Sequence, residues 1–557
     1  MFTMDSLIFL AIAVAILFAA VQRGGDGART MSEKTHRMIC WAAVAAGILV
    51  RLVRLTSLPA GISAEEALVG VQAKALWQTG GFLFGQGLTT QLSQWAGETN
   101  GPLLAVLTAP FVGLFGMSKL TVRLPLALLS CAAMPAAYGL GEALSGKRAA
   151  RWMLAIVALC PIFVLEARMT CGSCAALYLL PIALCLIARG ITKPAALYPG
   201  MIALALTAYA QDMYFFIAPA SILACAIIAL IFGRQKRHAP IAGAIGLLLC
   251  VPAMLTAFVN LTGAEGMTLF GLIRIPRLEG FEKTYMAENL SVIDKFWTVL
   301  VGGVFQVLRH ENIHQAMYTP DGMLALFVFS LPLMALGALA LFARWTDGCR
   351  VTGEKAAARA MVAATCAVTL AALVMFGSIG MLNTSGTTGL FDHSALILFD
   401  AVLMAAGLCT IERKNLGCAA AMGALMAVNF AWLAVQLFGG SYQANTNVYF
   451  PGFERMAARA AEIQAETGEK INVTGNIYPH IQPSGGAEMM FLYATDADMR
   501  TAEAERGTRY EMIYASEDMQ PEADEIYLAR ANEISNWDLE GFDYEESEGY
   551  ALIYPAR

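Results

Sequence analysis

The run M-Y-F-F-I-A-P-A-S-I-L-A-C-A-I-I-A-L-I-F, residues 213–232, contains no charged side chain. As a helix its twenty residues cover about 30 Å, the thickness of a bilayer's hydrocarbon core. A helix apolar on every side has to be surrounded by lipid or by other helices. Comparable runs recur along most of the chain, and the spacing predicts spans at roughly 5–22, 38–56, 120–144, 152–166, 173–190, 196–210, 213–232, 239–259, 323–343, 361–381, 393–411 and 416–438. The 557 residues are 57% apolar and only 14% charged, against about 25% charged in soluble proteins. A soluble fold is therefore excluded. The expected fold class is an all-α polytopic membrane protein of about twelve transmembrane helices with a small extracytoplasmic α/β domain at its C-terminal end. Residues 1–22 lack a basic start and a small-residue cleavage site, so they read as a retained helix.

Charge divides the chain in two. Residues Phe453 to Arg557 carry 22 acidic and 8 basic side chains, so −14, whereas the whole chain is at −6 and the remainder at +8. No basic stretch studded with aromatics suggests nucleic acid. Lys and Arg concentrate in alternate connections: Arg23 to Arg37, Lys147 to Arg151, Arg189 and Lys193, Arg234 to Arg237, Arg344 to Arg359, and Arg413 with Lys414. Such loops face the cytoplasm. The opposite, extracytoplasmic side then receives the loops 57–119 and 260–322 and everything after about residue 439. The segment 101–117 is apolar enough to span, but spanning would put the later basic loops on the wrong side. It is expected to be interfacial or re-entrant.

Residues 1–438 thus form a multi-pass membrane domain and 439–557 an acidic outer domain. In the latter, 452–467 has helical spacing, and β-rich runs follow at Ile471–Thr474, Met489–Tyr493, Tyr510–Tyr514, Ile526–Leu528 and Tyr550–Tyr554. Nothing there has catalytic spacing, and a solvated lid or docking domain is the plain reading. No internal repeat and no inverted pair of broken helices is evident.

The chemistry-bearing stretch is R-L-V-R-L-T-S-L-P-A-G-I-S-A-E-E-A, residues 51–67. Glu65 and Glu66 adjoin a membrane helix, and neighbours on a helix point about 100° apart, so one acid can face a cavity while the other caps or orients. A carboxylate in a half-dry pocket can act as general base or metal ligand; equally, both acids can be serving a helix N-terminus. Arg51 and Arg54, near the membrane surface, suit capture of a lipid phosphate or snorkelling. Tyr209, Gln211, Asp212 and Tyr214 lie at a helix end, as a sugar pocket or an interfacial aromatic belt. Asp400 is deep enough in its span to need a partner, and Asp392 and His393 stand near it. H-E-N-I-H at 310–314 matches a zinc-protease pattern but has no evident third ligand. Cys171 and Cys174 form a C-x-x-C without a second pair. Most other cysteines sit in apolar runs as small hydrophobes.

The stretch P-A-G-I-S-A-E-E-A-L-V-G-V-Q-A-K-A-L-W-Q-T-G (59–80) resembles the first outer loop of family 39 membrane glycosyltransferases. This GT-C group includes protein O-mannosyltransferases and lipid A aminoarabinose transferases. Residues 100–125, ending V-R-L-P, resemble the family's next block. E-A-R-M at 166–169, the run 319–337 and I-N-V-T-G-N at 471–476 are similar to later ones, the last to uncharacterised bacterial members.

The resemblance implies a glycosyltransferase of the plasma membrane with a polyprenyl-phosphate sugar as donor and an extracytoplasmic acceptor, a cell-envelope glycan, lipid or protein. An outer-loop acid would deprotonate the acceptor, which attacks the anomeric carbon with inversion. Glu65 matches the catalytic acid, usually Asp, and Glu66 the Glu after it; Arg51, Arg123 and Arg168 match arginines near the cavity and are expected to bind the donor phosphate. The family tends to carry an acid a few residues after the position of Arg168, and Met169 to Ser173 supply none. A divalent metal ion between the outer loops, the one cofactor the resemblance admits, would be short of a ligand. A non-catalytic scaffold or lipid-sugar transporter of the same fold is the alternative, and a zinc protease a more distant one.

Overall fold

Each predicted span contains a helix among the described residues of a computed structural model, which describes residues 4–22, 31–93, 99–170, 174–210, 214–277, 293, 326–346, 353–376, 394–439, 450–474, 485–513 and 519–556. The helices of the membrane body are α1 (Met4–Gln22), α2 (Glu33–Leu52), α3 (Ala64–Thr79), α4 (Leu103–Phe115), α5 (Lys119–Ser145), α6 (Lys147–Leu159), α7 (Pro161–Leu165), α8 (Cys174–Gly190), α9 (Leu197–Leu206), α10 (Tyr214–Phe232), α11 (His238–Thr262), α12 (Ser330–Thr346), α13 (Glu354–Phe376), α14 (Ser394–Lys414) and α15 (Leu416–Phe438). The protein is a multi-pass membrane protein. Among the described residues six helices are long and apolar enough to cross a bilayer, or seven if the bent pair α6 and α7 counts as one. The expected dozen is not reached by that measure, because several helices are too short: α8, for example, has 17 residues. Helices α12 and α14 cross at glycine, where a Cβ on Gly337 would stand 2.0 Å from the Leu403 carbonyl and one on Gly407 2.3 Å from that of Leu333. Small residues let membrane helices approach this closely.

Residues 101–117 form the 13-residue α4, about 20 Å long and too short to span. It packs through Ala105, Ala109 and Val112 into one apolar core with α3 and the acidic C-terminal domain. Short strands β1 (Leu88–Thr89), β2 (Leu92–Ser93) and β3 (Thr99–Asn100) follow α3, and β4 (Met267–Leu269) and β5 (Ile273–Ile275) follow α11. The C-terminal domain has β6 (Lys470–Thr474), β7 (Tyr510–Ile513), β8 (Glu525–Arg530), β9 (Phe542–Ser547) and β10 (Tyr550–Pro555), in a five-stranded sheet of order β7-β6-β8-β10-β9. Strands β7 and β8 both run parallel to β6, whereas β10 is antiparallel to its neighbours. Its helices are α16 (Pro451–Thr467), α17 (Gly485–Ala494) and the short α18 (Ala502–Glu505). Met489–Tyr493, expected as a strand, belongs to α17. Met, Leu and Ala favour helix, and the segment is buried between the sheet and α3 instead of pairing at an edge. Strand β9 was not expected; its acid-rich run has alternating exposure, as an edge strand has.

The domain docks on α3. Lys74 Nζ meets Asp496 Oδ1 at 2.6 Å, Lys119 pairs with Glu454 at 2.7 Å, and the Met499 N–H donates to Gln78 Oε1 at 3.0 Å. The C-terminal domain and the loop 57–119 therefore share one face of the body, here called the tail face; the loops around Lys147 and Lys414 lie at the other, basic, face.

Candidate functional site at the first loop

Helix α2 ends at Leu52, where its last carbonyls have no helical partner. Arg168 supplies donors: Nη1 to the carbonyls of Val50 (2.6 Å), Arg51 (3.2 Å) and Val53 (3.0 Å), and Nη2 to those of Arg54 (3.2 Å) and Leu58 (2.9 Å). Arg51 reaches the opposite way. Pro161 lacks the N–H that a continuing helix would aim at the Val157 carbonyl, and α6 and α7 meet at 60°. Arg51 Nη2 fills that place at 2.7 Å and bonds Phe163 O at 2.8 Å, while Nη1 bonds the carbonyls of Ala158 (3.0 Å) and Gly47 (2.9 Å). The two arginines form a reciprocal clasp between α2 and the α6–α7 break.

Arg123, from α5, holds the next stretch. Its Nε and Nη2 make a bidentate pair with Glu66, both at 2.8 Å, and its remaining donors go to the carbonyls of Leu55, Pro59 and Gly61 at 2.9–3.0 Å. Both partners are 1% exposed, and a buried pair is tolerable only when its hydrogen bonds are met. Glu66 also accepts from the Thr170 N–H at 3.3 Å and closes a capping box with Ser63. Gly61, at φ +75°, lies against the start of α16; a Cβ there would be 2.7 Å from Pro451 N.

The acid pair is thus divided. Glu66 is locked inside, and Glu65, one residue earlier in the first turn of α3, is half-buried at the tail face. The signature S-x-x-E at Ser63–Glu66 carries this assignment, since a capping box needs its acid at the third helical position. The three arginines expected at the donor phosphate are buried. Arg51, Arg123 and Arg168 are 0–1% exposed, and their guanidinium groups serve backbone carbonyls and Glu66. A phosphate clamp built from them would have to break those bonds.

Gly101 brings the end of the first loop against α9's continuation, for a Cβ there would be 2.1 Å from the Tyr209 carbonyl. The Tyr209 hydroxyl donates to Leu249 O at 2.6 Å, and Tyr214 is buried. Gln211, Asp212, Cys171, His310, Glu311, His314, Asp392 and His393 lie outside the described residues. Cys174 is in a disulfide, which removes it from a metal reading. No group of three or more His, Cys, Asp or Glu side chains suited to a metal comes together among the described residues.

Two residues escaped the sequence reading. Glu166, two positions before Arg168, is a carboxylate 2% exposed in the same segment. Gln91, 1% exposed in the first loop, has no partner for its amide oxygen or nitrogen, a costly arrangement that a ligand would relieve. A glutamine in a loop gives no advance signal of this kind.

No protein-family model matches the chain, and no curated protein does. Solved structures are similar to it at low identity. The archaeal oligosaccharyltransferase AglB from Archaeoglobus fulgidus, in complex with an inhibitory peptide and a dolichol-phosphate, is 12% identical with a TM-score of 0.47, over 83% of this chain and 63% of that one. ArnT from Cupriavidus metallidurans bound to undecaprenyl phosphate is 11% identical with a TM-score of 0.45, over 92% of this chain and 97% of that one. The chain thus spans about 63% of the oligosaccharyltransferase it is similar to.

Proposed function

We propose that this protein is a GT-C-type membrane glycosyltransferase that moves a sugar from a polyprenyl-phosphate donor to an acceptor at the tail face. The observation that carries the reading is the division of the acid pair: one carboxylate fixed by Arg123, its neighbour half-buried in the first turn of α3, just after a segment that three buried arginines hold by hydrogen bonds. A reactive group needs such a supporting shell.

Glu65 takes the proton of the acceptor hydroxyl. The acceptor oxygen attacks the anomeric carbon from the face opposite the phosphate, and the bond from that carbon to the phosphate oxygen breaks. The polyprenyl phosphate leaves with the electron pair, and the centre inverts. Phosphate is a capable leaving group, so positioning carries much of the rate. Glu66, Arg51, Arg123 and Arg168 are positioning residues in this reading. Tyr209, Gln211, Asp212 and Tyr214 remain the proposed sugar-pocket residues in this reading, Gln211 and Asp212 lying outside the described residues. No metal ion enters a step.

Two observations support an extracytoplasmic tail face. The basic loops lie at the other face, and Cys174, at the tail-face end of α8, is disulfide-bonded, as befits an oxidising compartment. About twelve spans, a membrane domain at 1–438 and an outer domain at 439–557 belong to the same reading. One observation favours a non-catalytic scaffold instead: the expected phosphate-binding arginines are all engaged with the chain itself. Transfer of labelled sugar from dolichyl- or undecaprenyl-phosphate by the purified protein, parent and Glu65→Gln side by side, decides between them. Absence of transfer by the parent from every such donor would overturn the proposal.

A further inference from the structure

A second charged cluster lies at the basic face, away from the first loop. Arg151, 3% exposed, donates Nη2 to Glu412 Oε2 at 2.5 Å and has Nη1 2.9 Å from His36 Nδ1. Trp152 Nε1 donates to the same Glu412 oxygen at 2.8 Å, and Arg148 stands 3.5 Å from the other. The Nε–H of Arg151 is buried and has no acceptor.

Arg151, Trp152 and Glu412 form the polar end of a cavity of about 440 Å³ between α2, α6 and α15. Its walls are apolar and mostly small, among them Ile39, Ala43, Gly423 and Phe430. Ala42, Ala420 and Ala424 also line it and are exposed, so it opens sideways between α2 and α15, toward where lipid chains run. Beside that polar end the surface is basic. Arg148, 33% exposed, stands 3.5 Å from Glu412 Oε1 and adjoins Lys147, 61% exposed; Lys147 and Arg37 share the acid Glu33. The buried Arg151 and Glu412 offset one another, which leaves the rim with a net positive charge.

We propose that this groove is a binding site for an anionic phospholipid, with an acyl chain among the alanines, a headgroup or ester oxygen on the Arg151 Nε–H and the phosphate at the Arg148–Lys147 rim. Three features converge on that occupant. The groove opens to lipid, its end holds a donor lacking an acceptor, and its rim attracts negative charge. A water-soluble ligand would have to cross the apolar mouth. The site does not depend on the glycosyltransferase reading, since it sits at the opposite face.

The test uses the full-length protein, delipidated in mild detergent and titrated with phosphatidylglycerol, with phosphatidylcholine of the same chains and with undecaprenyl phosphate. Bound lipid is counted by native mass spectrometry. One phosphatidylglycerol should be retained about tenfold more tightly than phosphatidylcholine, a difference of one decade in the dissociation constant. Gly423→Leu fills the groove; a Cβ there meets nothing nearer than the Trp152 ring at 3.6 Å. Ala420→Leu at the mouth serves as a second filler in case the first disturbs folding. Each should lower phosphatidylglycerol binding by about tenfold or more, and Arg148→Gln should erase the preference over phosphatidylcholine. Undiminished binding in both fillers, or equal binding of the two phospholipids, would overturn the proposal. So would undecaprenyl phosphate displacing phosphatidylglycerol from the parent, because the groove would then be a prenyl site.

Discussion

The two faces of the membrane body bury arginine in different ways. At the tail face Arg51, Arg123 and Arg168 reach across to carbonyls 62 to 118 positions distant in sequence and to one carboxylate. At the basic face Arg151 meets one carboxylate and one imidazole, and it looks into an open cavity. The first arrangement spends guanidinium donors on backbone that helix ends and a proline break leave without partners, so it closes a structure. The second leaves a donor and a space, so it can accept something from outside. A buried arginine is therefore no sign of a ligand in itself; what surrounds its remaining hydrogens decides.

Breaking the tail-face arrangement should have the largest effect. Arg123→Ala strands Glu66 as an unpaired buried charge, and loss of one partner of such a pair costs about 3–5 kcal/mol. The folded yield in detergent should collapse. Arg123→Met combined with Glu66→Leu should recover much of it, since removing both charges avoids the stranded one. A single variant as stable as the parent would mean that the pair is not what holds the loop.

Arg168→Ala comes next. It releases the carbonyls at the end of α2, and hydrogen bonds from a charged donor are worth about 1.5–3 kcal/mol each before neighbours and water compensate. The unfolding midpoint should fall, with donor affinity following only as the loop loosens. The opposite pattern, an unchanged midpoint and donor binding weaker by about tenfold or more, would restore Arg168 to the phosphate.

The smallest effect belongs to the docking of the C-terminal domain. The Asp496 side chain is 69% exposed, and surface pairs are worth about 0–1 kcal/mol. Lys74→Ala should leave stability within that range because the shared apolar core carries the interface. Release of the domain, seen as new proteolysis between residues 439 and 451, would show that the ion pair matters more than the core.

How far the sequence could be read follows from the same contrast. Helix positions were legible because a charge-free run of about twenty residues has few alternatives. Apolar runs of five residues, such as Met489–Tyr493, do not distinguish strand from buried helix, and this one went the wrong way. The acid pair was legible as a place, and its division was available in the capping-box spacing. The partners of Arg51 and Arg168 were not legible, because a helix-end arginine looks the same whether it faces a lipid phosphate or a carbonyl more than a hundred residues away. The Arg151 groove was hidden for a similar reason: α2, α6 and α15 carry ordinary alanines whose convergence only the fold reveals.

The central claim is that Glu65, and not its neighbour, is the base. Glu65→Gln keeps the shape of the side chain and the Arg123–Glu66 lock but cannot take the acceptor's proton. With a labelled polyprenyl-phosphate sugar and cell-envelope acceptor, its transfer rate should fall by at least about a hundredfold, with the unfolding midpoint and donor binding unchanged. Glu65→Asp, which keeps a carboxylate, should retain more activity than Glu65→Gln. Transfer by Glu65→Gln at the parent's rate would contradict the account.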